Sequence, residues 1–143
     1  MSRQRITTVL AVLTGAAVMF FGLNFLLNPG GAGAGFGIDP WPRGNADGYF
    51  VVKGVRDIAV ATTVFALLAL GQRRALGWVI LADAVIPLGD ALAVVTHGGS
   101  VATALGVHVS AALVVLLTAG LLLSEGRPGT ARAGAVVTPA PGV

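Results

Sequence analysis

Hydrophobic residues fall into four runs separated by short polar breaks. The runs are Ile6 to Leu27, Phe50 to Leu70, Ala75 to Val95 and Val101 to Leu123. About 20 apolar residues suffice to cross a bilayer. Each run is long enough, and none alternates as a barrel strand does. The pattern predicts an all-α membrane protein, a bundle of four transmembrane helices over residues 1–124 with helices at about 6–27, 50–70, 75–95 and 101–123. Gln72 to Arg74 and His97 to Ser100 are short enough to force antiparallel neighbours. Asn28 to Gly48 is read as a long Gly- and Pro-rich outer loop carrying Phe36, Ile38 and Trp41. Residues 125–143 read as a disordered cytoplasmic tail.

Composition agrees. The 143 residues are 55% hydrophobic and only 10% charged, against about 25% charged in soluble domains. Mean hydropathy is +0.87. A net charge of +3, with no basic patch interleaved with aromatics, excludes nucleic acid as a partner. The lack of cysteine excludes disulfides, thiol chemistry and thiolate metal sites. The basic residues instead mark topology. Arg3, Arg5, Arg73, Arg74, Arg127 and Arg132 all fall on one side, with Arg43 opposite. The positive-inside rule then puts both termini in the cytoplasm of a multi-pass plasma-membrane protein. Trp78 is expected at the inner interface and Trp41 at the outer one. A rival reading makes residues 1–34 a cleaved signal peptide ending in Ala32-Gly33-Ala34. The first run exceeds the 7–15 residues of a signal core, so it is read as a retained helix.

Ionisable residues within the runs locate the candidate chemistry. Each costs about 2.5–3.5 kcal/mol at a helix centre. A rise of about 1.5 Å per residue puts Arg56, Asp57, Asp90 and His108 about 8–10 Å below the outer surface, and Asn24 about 5 Å below it. Lys53, Arg56 and Asp57 share a helix face, as do Asp83, Pro87 and Asp90. Pro87 cannot donate to the Asp83 carbonyl, which predicts a kink there. Two positive and three negative groups leave one charge unbalanced. One mobile proton shared among Asp90, Asp83 and His108 is therefore expected, as acid–base catalysis or proton coupling requires.

The strings Lys53-Gly54-Val55-Arg56-Asp57, Gly71-Gln72-Arg73-Arg74-Ala75-Leu76-Gly77, Pro87-Leu88-Gly89-Asp90 and His97-Gly98-Gly99, with His108, Asn28-Pro29 and Phe36-Gly37, carry a resemblance. Over about residues 10–124 the chain resembles an uncharacterised family of small four-helix integral membrane proteins found in bacteria and fungi. The resemblance implies the fold and carries no activity. Architecture alone is similar to small multidrug exporters and some redox-associated membrane proteins.

The residue pattern supports three functions. The first is an enzyme on a lipophilic small molecule, an isomerase, cyclase or epoxide-opening catalyst. Asp90 would be its acid or base with His108 as partner, and Arg56 would hold a developing anion or orient Asp57. Lys53, Asp83, Asn24, Phe36 and Trp41 would line the substrate, the Phe36–Trp41 segment excluding water. Such chemistry needs no cofactor. A metal is not expected, because Lys53 and Arg56 repel a cation. The second is a proton-coupled transporter using Asp83, as a homodimer. The third is a structural or partner-binding subunit whose ion network fixes helix register. Ala102, Gly106 and Ser110 recur every four residues as a small-residue packing face.

Overall fold

A computed structural model describes residues 2–125 of the chain. Helix α1 runs Arg3–Leu27, α2 Pro29–Phe36, α3 Gly48–Ala69, α4 Arg73–Asp83, α5 Val85–Thr96 and α6 Val101–Glu125. A 3-10 turn, Gly44–Asp47, leads into α3. The fold is all-α over the described residues.

Three stretches are long and apolar enough to cross a membrane: α1, α4–α5 taken together, and α6. Their outward faces carry Leu13, Phe20, Leu27, Val85, Leu92, Leu113 and Leu117, all exposed. So much outward-facing hydrophobic surface suits lipid far better than water. This is the pattern of a multi-pass membrane protein. Helix α3 falls outside that set because Lys53, Arg56 and Asp57 interrupt its apolar run.

α1 packs along α3, and α4 along the second half of α6. The α1–α3 crossing depends on two glycines. A Cβ on Gly22 would stand 2.9 Å from the Gly54 carbonyl oxygen, and one on Gly54 would stand 2.8 Å from that of Gly22. Backbone meets backbone there, as small residues permit in membrane helix pairs. One apolar core, Ala11, Val64, Leu76, Ile80, Ala119 and Leu122, joins α1, α3, α4 and α6 towards the end that holds the α3–α4 turn. Two smaller clusters lie towards the other end: Phe25, Ala32 and Phe50, and Ala91, Val94 and Ala104.

The kink expected at Pro87 is a break between α4 and α5. Ala84 carries the join, and its N–H reaches back only to Leu81. The missing Pro87 donor explains the lost α-helical bond to Asp83. A second irregularity was not expected. Residues Ala104–Val109 of α6 are π-helical, and the Ser110 N–H donates to Leu105, five residues back. Ala104, His108 and Ala112, spaced by four, are all buried. The wider turn keeps that spacing on one face, where a regular α-helix would drift.

The outer loop over 28–48 needs correcting, because its first part is α2. The Asn28 side chain caps it by accepting from the Gly31 N–H at 3.2 Å, and Pro29 occupies the first turn. Gly37 ends it at φ 96°, a left-handed conformation that suits glycine. Low helix propensity is overridden by packing of Ala32 and its neighbours on Phe25, Phe50 and Trp41. The tail boundary also moves. Glu125 is the last residue of α6, and the rest of the expected tail, 126–143, lies outside the described residues.

Candidate functional site

The charged residues of α3 and α5 meet at a single lysine. One helical turn separates Lys53 from Asp57, and its Nζ lies 3.3 Å from Asp57 Oδ2. Across the bundle the same Nζ lies 3.4 Å from Asp90 Oδ2. Asp57 is buried; Lys53 and Asp90 are partly buried. Two aromatic faces cover the ammonium, Phe25 of α1 at 5.2 Å and Phe36 of α2 at 5.5 Å. Ring faces are negative, so each adds cation–π attraction. Lys53 thus ties α1, α2, α3 and α5 together.

Arg56 takes a marginal place. Its Nε is 4.0 Å from Asp57 Oδ1, and 54% of its side chain is exposed. It balances charge at the edge instead of presenting a donor inside the centre. Lys53 and Arg56 therefore offset Asp57 and Asp90, two against two. Asp83 stays apart, partly buried at the end of α4, with no ion-pair or hydrogen-bond partner among the described residues. Of the acidic residues in α3, α4 and α5, Asp83 is the one without a cationic partner among the described residues.

His108 corrects the expected pairing with Asp90. Its Nε2–H donates to the Phe36 carbonyl at 2.9 Å, and no hydrogen bond or ion pair joins it to Asp90. Its ring meets Phe36 edge-on, centroids 4.8 Å apart. Since a carbonyl only accepts, the proton sits on Nε2. Among the described residues no direct hydrogen bond joins Asp90, Asp83 and His108; each faces a different partner or none. Similar depth did not bring Asp90 and His108 together, because Phe36 at the end of α2 is His108's partner.

The remaining candidates lie around this centre. Phe36 is central, packed on Phe25, His108 and Lys53. Trp41 packs with Phe25, Ala32 and Phe50, and the Arg43 guanidinium lies 5.2 Å above its ring. A 350 Å³ surface cleft beside Trp41 is lined by Pro29, Pro42, Arg43, Asp47 and Phe50, and reaches neither Lys53 nor Asp90. Asn24 is partly buried; its backbone carbonyl accepts from the Asn28 N–H at 2.8 Å, and its side chain makes no hydrogen bond among the described residues. Ala102, Gly106 and Ser110 are exposed, so that stripe packs on no described part of the chain. Among the described residues no three His, Asp or Glu side chains gather as metal ligands.

Sequence reasoning missed a second polar centre at the opposite end of the bundle. Arg73 Nε donates to Glu125 Oε2 at 2.6 Å, and a second guanidinium nitrogen reaches Oε1 at 3.1 Å. A third donates to the Thr8 hydroxyl at 3.0 Å. The Thr7 hydroxyl bonds Glu125, and Arg3 donates to Ser124. Arg73 was legible only as a topology marker. The pairing was hidden because Glu125 looked like the first residue of a tail.

Neither a curated protein nor a solved structure matches the chain. A family profile does match, over residues 15–122, which is more than half of the sequence. On that match the chain belongs to the family described as a domain of unknown function, DUF4267.

Proposed function

We propose that this chain is a four-span protein of the plasma membrane, both termini cytoplasmic, that works as a non-catalytic, partner-binding membrane subunit. One observation carries the reading: Lys53 occupies both Asp57 and Asp90 and is itself covered by Phe25 and Phe36. Groups so engaged hold helices in register. The fourth span is α3: Lys53 and Asp57 neutralise each other inside the bundle and so cost less in lipid, while Arg56 stays at its edge. Asp83 supports the partner. An ionised carboxylate near the midplane costs about 2.5–3.5 kcal/mol, which a donor on a second copy or another membrane helix would offset. The exposed Ala102, Gly106 and Ser110 stripe suits close helix approach by such a partner.

A second reading, acid–base chemistry on a lipophilic small molecule, draws on the π-helical turn that holds His108 under Phe36. π-bulges recur at functional sites. One set of variants separates the two. The subunit reading predicts that Asp90→Asn lowers stability to unfolding in detergent by about 1.5–3 kcal/mol, for a lost charged hydrogen bond. It also predicts that Asp83→Leu dissociates the native complex, read by native mass spectrometry. An Asp90→Asn protein as stable as wild type, with lipophilic metabolites altered in cells carrying it or His108→Ala, would favour the enzyme.

A further inference from the structure

The polar end of the bundle opposite Lys53 holds a cleft of about 640 Å³, lined by Arg3, Gln4, Gln72, Arg73, Arg74 and Glu125. Three guanidinium groups face one carboxylate. Arg73 and Glu125 neutralise each other through two direct bonds. Arg3 and Arg74 have no carboxylate within 4.0 Å among the described residues, and both are exposed. The cleft therefore presents about two uncompensated positive charges with forked donors.

We propose that this cleft binds a phosphate-bearing anion, either the headgroup of an acidic phospholipid or free phosphate. Guanidinium forks match phosphate oxygens, and the arginines supply the charge. Arg73, locked by Glu125, Thr7 and Thr8, acts as the fixed wall against which Arg3 and Arg74 close. The lipid source is favoured by Trp78. It lies one turn beyond Arg74 and is 56% exposed, an aromatic placed as those at a bilayer interface are. Phosphates form a layer at that depth, and basic clefts between helices there take acidic headgroups. The inference needs only that this end of the bundle meets the membrane surface, and is independent of what the Lys53 centre does.

The test uses the full chain in a neutral detergent, titrated separately with phosphatidylglycerol, phosphatidylcholine of the same acyl chains, and inorganic phosphate. Binding is read by native mass spectrometry and by thermal unfolding. Wild type should bind phosphatidylglycerol more tightly than phosphatidylcholine. Each of Arg3→Gln and Arg74→Gln should weaken phosphatidylglycerol binding about fivefold, and the pair about twenty-five-fold, leaving phosphatidylcholine binding unchanged. Both side chains are exposed and the one bond at stake, from Arg3 to Ser124, is at the surface, so melting without added lipid should stay close to wild type. Arginine-dependent binding of inorganic phosphate, as tight as that of phosphatidylglycerol, would uphold the phosphate site and assign it to the soluble anion. Equal affinity for the two lipids with no phosphate binding, or phosphatidylglycerol binding unchanged in the double variant, would overturn the proposal.

Discussion

Lys53→Met is expected to destabilise the protein by about 3–5 kcal/mol, the usual loss when one partner of a buried ion pair is removed. Methionine preserves most of the length and apolar volume, so packing on Phe25 and Phe36 is largely kept. What remains is a pair of carboxylates, Asp57 and Asp90, both within 3.4 Å of the lost ammonium. Arg56 offers little relief, since its nearest nitrogen is 4.0 Å from Asp57 and its side chain is mostly in the open. Total stabilities of about 5–15 kcal/mol are typical of soluble domains, so a loss of this size would be conspicuous. Thermal or denaturant unfolding in a single detergent measures it.

The second large effect is expected at the other end. Arg73→Gln should cost about 2–3 kcal/mol. It removes the bidentate partner of Glu125 and the donors to Thr7 and Thr8, which together bind the start of α1 and the end of α6 to the start of α4. Because the Glu125 carboxylate is only 16% exposed, losing its partner leaves a charge poorly served by water. Arg74→Gln, one residue along and exposed, should change stability by less than about 0.5 kcal/mol. Melting temperatures of the two variants, compared side by side, check the contrast.

How much of this was legible varies with the range of the interaction. Hydrophobic run length located the long helices, because a continuous apolar stretch has few other uses. The i, i+4 spacing of Lys53 and Asp57 placed them in contact, since local helix geometry suffices. Pro87 announced the break before α5 for the same reason. Helix α2 was read as loop because of its glycines; Asn28, Pro29 and Gly37 fit the ends of a helix, but only tertiary packing decides for one there. Depth counting brought Asp90 and His108 to a common level. It could not foresee that α2 would place the Phe36 carbonyl at His108 instead. Arg73 and Glu125 are 52 residues apart, and nothing local links them.

The central claim is that Lys53 works as a neutralised clamp, and the triple variant Lys53→Met, Asp57→Asn, Asp90→Asn tests it most directly. Removing all three charges removes the ion pair and its desolvation cost together, leaving polar amides in place of carboxylates. The account predicts that the triple variant recovers most of the stability lost in Lys53→Met, with melting close to wild type. A triple variant as unstable as Lys53→Met alone would contradict it, because the loss would then come from something other than two carboxylates left without their lysine.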